Sequence, residues 1–98
     1  MLLGGRNMRR DSGKTEYIEK IKQIKDNEII IKLLSFFTPQ ERFVITYRYG
    51  FFYNEILTFD EIGKKFGLTK QAIEIILRKC ESKLRRSSKI RAIIKSYH

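Results

Sequence analysis

Two tetrapeptides, Thr38-Pro39-Gln40-Glu41 and Thr58-Phe59-Asp60-Glu61, constrain this chain more than any other feature, because each carries the signature of a helix start. In such a capping box the threonine hydroxyl accepts from the backbone N–H three residues on, and the glutamate there reaches back to the N–H of the threonine. Pro39 also suits a first helical position, where its missing N–H is not needed. Each box is followed at helix length by a glycine, Gly50 and Gly67, suited to the left-handed backbone that closes a helix. The spacing therefore predicts one helix from Thr38 to about Tyr49 and another from Thr58 to Phe66. Phe51 to Leu57 reads as a loop whose aromatic residues pack over the core.

Two residues past Gly67, Thr69 is the N-cap candidate of a third helix reaching about Arg86. Its apolar residues Ile73, Ile76, Leu77, Cys80 and Leu84 fall on one stripe, with Lys70, Arg78, Lys79, Lys83 and Arg85 around the remaining surface. Upstream, from Thr15 to about Phe37, Tyr17, Ile18, Ile21, Ile24, Ile29, Ile30, Leu33, Leu34 and Phe37 recur at three- and four-residue spacing, which predicts a helix interrupted near Asp26-Asn27. The tail residues Ile90, Ala92, Ile93, Ile94 and Tyr97 suit one more short helix that covers the core. No strand pattern competes. The expected fold class is all-α, a compact helical domain of four to five helices over residues 15–98 with a C-terminal helix-turn-helix at about 58–86. Residues 1–14, with Gly4, Gly5, Gly13 and four basic side chains but no apolar period, read as a flexible basic arm.

Charge narrows the class of partner. The 98 residues carry 21 Lys and Arg against 11 Asp and Glu, a formal net charge of +10. From Lys64 to His98 there are eleven basic residues and two acidic ones, so the positive field belongs to the C-terminal third. That favours a polyanion such as nucleic acid, or an acidic protein surface. The basic run from Arg78 to Lys95 reads either as a solvated helix face or as a set of phosphate contacts.

Several classes are disfavoured. Cys80 is the single cysteine, so no internal disulfide forms, and no cluster of His or Cys offers a metal site. Its place on the apolar stripe makes it buried filler, and a reducing cytoplasm is the expected compartment. Met1-Leu2-Leu3 runs straight into Gly4-Gly5-Arg6, too short for a signal peptide, and no run approaches the roughly 18 apolar residues of a membrane span. No nucleophile-base grouping, phosphate-cradling glycine loop or carboxylate-histidine cluster is present, so the chain is not expected to be an enzyme and no cofactor is implied.

Two short helices joined by a glycine turn make a helix-turn-helix, whose second helix enters the major groove while the first crosses the backbone. With the apolar stripe against the core, Thr69, Lys70, Gln71, Glu74, Ile75 and Arg78 are expected to face outwards near the N-terminus of that helix, and Lys79 follows them. Thr58 and Thr69 cap helix starts whose open N–H groups suit phosphates.

In order along the chain, Thr38-Pro39-Gln40-Glu41-Arg42-Phe43-Val44, Tyr47-Arg48-Tyr49-Gly50, Thr58-Phe59-Asp60-Glu61-Ile62-Gly63-Lys64-Lys65-Phe66-Gly67-Leu68-Thr69-Lys70 and Lys83-Leu84-Arg85 resemble region 4 of the sigma-70 family, over about Leu33 to Arg86. The resemblance implies a module that docks on the flap of the bacterial RNA polymerase beta subunit and reads double-stranded promoter DNA at the minus-35 element. Lys70, Gln71, Glu74 and Ile75 would then fall on the base-reading face, and Arg48 on a phosphate. The chain departs from the family's housekeeping pattern after Lys70-Gln71. Glu74 replaces a basic residue, repels phosphate and suits a cytosine amino group, while Ile75 offers only apolar contact, for example to a thymine methyl. A changed DNA target follows, or a protein-interaction module that inhibits or redirects polymerase or a sigma factor without reading DNA sequence. With 98 residues the chain is not expected to open promoters by itself: either a second protein supplies minus-10 recognition or the chain modulates an existing holoenzyme. Activation or repression, oligomeric state and origin stay open.

Overall fold

The computed structural model describes residues 16–53 and 55–97, which form six helices and no strand. The basic arm expected at 1–14 lies outside the described residues. Helix α1 covers 16–22; α2 is Asn27–Leu34, α3 Pro39–Tyr49, α4 Phe59–Phe66, α5 Lys70–Arg86 and α6 Ser88–Tyr97.

The expected count of four to five helices is too low, for two local reasons. Asp26 adopts extended backbone and its carboxylate accepts from the N–H groups of Glu28 at 2.9 Å and Ile29 at 3.3 Å, so it ends the first helix and starts a new one. That second helix stops at Leu34 rather than at Phe37. Ser35 turns its hydroxyl onto the carbonyl of Lys32 at 2.6 Å, and Phe37 closes a tighter turn by donating to the carbonyl of Leu34 at 3.0 Å. At the other end, Ser87 closes α5 in extended backbone while its hydroxyl accepts from the N–H of Ile90 at 3.2 Å, which launches α6.

The two capping boxes form as the sequence implies. The hydroxyl oxygens of Thr38 and Thr58 accept from the N–H groups of Glu41 and Glu61, and each glutamate accepts in return from the N–H of its threonine. Gly50 at φ 76° and Gly67 at φ 71° end these helices in the left-handed region.

Ile18, Ile21 and Ile24 of the first segment, Ile30 and Leu33 of α2, Val44 and Ile45 of α3, Ile62 of α4, and Ile73, Cys80 and Leu84 of α5 are almost wholly buried together. Helix α6 packs on α2 and seals this core with Ile90 and Ile94. Burying two such isoleucines stabilises by about 1.5–3 kcal/mol each, so the basic tail is a structural lid on the core as well as a source of charge. Among the described residues of the 51–57 loop, Phe51 is buried in the core, edge-on to Tyr49, and Leu57 packs against it half-buried. Tyr53 stacks on Tyr47 and stays 60% exposed, and Phe52 is exposed at φ 73°, a backbone that costs a bulky residue about 1–2 kcal/mol. The loop aromatics therefore pack over the core only in part. No described helix is long and apolar enough to cross a membrane.

Candidate nucleic-acid interface

Helices α4 and α5 are held at a fixed angle by the turn between them. The carbonyl of Gly63 accepts from the N–H of Gly67 and, at 2.8 Å, from that of Leu68. Gly63 sits inside α4, where glycine normally weakens a helix. A Cβ built there would lie 2.5 Å from the carbonyl oxygen of Leu68, so glycine is what lets the turn fold back this closely. Gly67 has the opposite reason: open space surrounds its Cβ position, and only its left-handed backbone demands glycine. Sequence reasoning found Gly67 and missed Gly63. The available signal was an isolated glycine inside a helical pattern, which implies a packing reason.

Behind this corner, Ile73, Leu77, Cys80 and Leu84 bury one stripe of α5. Thr69 caps its start by accepting from the N–H of Ala72 at 3.1 Å, and the first turn carries no acidic residue. The N–H groups at its very tip, together with the positive end of the helix dipole, remain open to an anion. Thr58 presents a different start. Its hydroxyl oxygen and its N–H are both engaged by Glu61, and Asp60 and Glu61 occupy the first turn, Asp60 in contact with Lys64 at 3.2 Å.

Lys70, Gln71, Ile75, Arg78 and Lys79 are exposed, Ile75 by 52%. Gln71, Ile75 and Arg78 follow at i, i+4 and i+7 and share one outward row. Glu74 departs from the outward placement expected of it, being half-buried. It follows Ile73 and precedes Leu77 at the margin of the apolar stripe, so its side chain turns into a cleft of about 380 Å³ shared with Lys22, Arg48 and Arg78. Arg48 is also half-buried. It donates to the carbonyl of Leu57 at 3.1 Å, and its guanidinium lies 4.7 Å from the centre of the Phe59 ring. The planar fork is thereby fixed at the start of α4, with further N–H groups left over.

Two other polar side chains behind the face are structural. Tyr49 donates to Glu81 at 3.0 Å, and burial pushes its phenol pKa well up, with Glu81 adding to the effect. Cys80 is buried as the stripe implied, and burial pushes its thiol up to about 12.

The boxed helix, the glycine turn packed against its own interior glycine, and the N-capped helix with a polar outer row lie within the segment that the sequence model of Sigma-70, region 4 matches, residues 33–86. The chain belongs to the sigma-70 region 4 family. Region 4 domains are helix-turn-helix DNA-binding domains of the sigma and transcription-regulator type, and α4 and α5 are the helix-turn-helix of this one. Neither the curated proteins nor the solved structures gave a match. Helices α1 and α6, by contrast, fall outside the region 4 segment altogether.

Proposed function

We propose that the protein is a transcription factor of the region 4 type that associates with RNA polymerase and contacts promoter DNA through α5, as a binding module and not as an enzyme. The observation that carries this reading is the row of exposed side chains Lys70, Gln71, Ile75 and Arg78 on a helix otherwise locked into the core. In it, Lys70 and Gln71 carry hydrogen-bonding groups to base edges, Ile75 supplies apolar contact to a thymine methyl, and Thr69, Arg48, Arg78 and Lys79 hold phosphates. Thr58 contributes less, because the carboxylates of Asp60 and Glu61 stand at its helix start. Glu74, aimed into the Arg48 cleft, acts there by steering Arg48 and Arg78 or by accepting from a cytosine amino group at the groove edge. Association with polymerase, by way of the beta flap as in the family, has an apolar surface available in the exposed Phe43 and its stacking partner Phe66, whose ring centres are 5.2 Å apart.

A second reading is favoured by the same Ile75. An exposed isoleucine on the row, next to a carboxylate with no ion pair among the described residues, suits docking on polymerase or a sigma factor without DNA reading. Gel shifts on pooled promoter fragments with and without core polymerase separate the two. DNA reading gives a shift that falls steeply with salt as counterions are released, whereas apolar docking gives a polymerase complex with weak salt dependence and no selected fragment.

A further inference from the structure

The helix-turn-helix does not exhaust the positive surface. Helices α1 and α6, both outside the region 4 segment, meet beside the last turn of α5. There Tyr17 donates its hydroxyl to the carbonyl of Leu84 at 2.9 Å, and the Arg91 guanidinium lies 5.9 Å from the centre of the Tyr17 ring. Tyr17, Lys20, Arg91, Ile94 and Lys95 line an open cleft of about 570 Å³. Among the described residues three cations line it and no carboxylate does. Lys20, Arg91 and Lys95 are exposed, and none makes an ion pair among the described residues. Of the acidic residues on α1, Glu19 is occupied by Lys22 at 3.0 Å, and neither it nor Glu16 lines the cleft. The cleft around Arg48 differs, because Glu74 and Glu81 share its walls. Among the described residues, no carboxylate opposes an anion entering between α1 and α6.

Distance separates this cleft from the base-reading end. A rise of 1.5 Å per residue puts Leu84 about 20 Å along α5 from Lys70, roughly six base-pair steps of a duplex. Arg91 is half fixed by Tyr17, as a phosphate-binding guanidinium should be, while Lys20 and Lys95 supply mobile point charges on either side. We infer that the α1/α6 cleft is a second DNA contact, taking backbone phosphates of the duplex that flanks the segment read by α5. This rests on the DNA-binding reading above and assigns a role to the basic tail that the helix-turn-helix leaves unused.

The test is the salt dependence of binding to a random-sequence hairpin duplex of about 6 base pairs, too short to span both contacts, and to a duplex of about 40 base pairs, since each neutralised phosphate adds about 0.9 to the slope of log affinity against log salt. The parent is compared with Lys20→Gln/Arg91→Gln/Lys95→Gln and with Lys20→Gln/Lys95→Gln, which keeps Arg91 over Tyr17 in case the triple variant loses its fold. The slope on the long duplex is expected to become shallower by roughly 2 to 3 in the triple variant and by about 2 in the double, with little change on the short one. Parental slopes on both lengths overturn the inference, and so do equal losses on both, which report only the general positive potential. If those outcomes come with binding that Lys70→Ala still weakens, the DNA reading itself stands. A parent that binds no duplex ends both. A variant that keeps its DNA slope but no longer co-purifies with core polymerase makes the cleft a protein contact and likewise overturns the inference.

Discussion

The ammonium of Lys83 lies 3.0 Å from Oε1 of Glu41, the same carboxylate oxygen that accepts from the N–H of Thr38 at 2.9 Å. One oxygen thus closes the capping box of α3 and ties α5 to it. Lys83 also donates to the carbonyl of Phe36 at 3.2 Å and lies over the ring of Phe37. In the sequence Lys83 belongs to a basic run that suits phosphates, yet here it is a strut between helices. Replacing it by Met keeps the stem but removes these bonds. Because the pair is partly exposed, Lys83→Met is expected to cost about 1–2 kcal/mol in urea unfolding, with DNA affinity nearly unchanged.

The two glycines of the turn make opposite demands, and substitution separates them. Gly63→Ala drives a Cβ against the carbonyl oxygen of Leu68, which backbone movement alone can relieve. It is expected to lose about 2–3 kcal/mol, and DNA binding with it, since α5 must tilt. Gly67→Ala meets open space and bears only the left-handed backbone, about 1 kcal/mol, and Gly67→Asn less. Equal losses for the two alanine variants in urea melts would contradict this account of the corner.

Acid should loosen the helix starts. For Glu41, burial alone pushes the carboxyl up, but the Thr38 N–H and Lys83 outweigh it and hold the pKa below its ordinary 4.5. For exposed Glu61 the N–H of Thr58 does the same. A carboxyl whose folded pKa is depressed binds fewer protons folded than unfolded, so its contribution is complete above the unfolded value and fades as pH falls through the folded one. Urea midpoints are expected to drop as pH is taken below 4.5, and to do so less in Glu41→Gln/Glu61→Gln, which retains the boxes without the charge.

Cys80 should be inert while the protein is folded. It is wholly buried, and its thiol pKa of about 12 leaves little thiolate near neutrality. A maleimide reagent at about pH 8 is expected to label it slowly in buffer and quickly in urea; equally fast labelling in both would mean that the α5 stripe is not closed over it.

Local chemistry accounts for what the sequence made legible. Capping boxes and left-handed glycines act within four residues, so Thr38, Gly50, Thr58, Gly67 and Thr69 announced their helices, and the stripe on α5 announced its buried face. Contacts made across the fold were not visible. Nothing near Lys83 in the chain points to Glu41, and Glu74 reads as outward until the packing of Ile73 and Leu77 turns its side chain toward Arg48. The apolar spacing already placed breaks near Asp26-Asn27 and after about Arg86, and the side chains of Asp26 and Ser87 supply the caps there that the spacing alone did not name. The residues placed on the DNA face rest on exposure and position along α5, which is why its outer row is the part to measure.

That measurement is the affinity of Lys70→Ala for a promoter fragment selected by the parent protein, set against its affinity for random duplex at the same salt. If the outer row of α5 reads bases, the variant loses about 1–3 kcal/mol on the selected fragment and much less on random DNA. Unchanged affinity on both, with the fold intact, would contradict the account and leave the outer row to a protein partner.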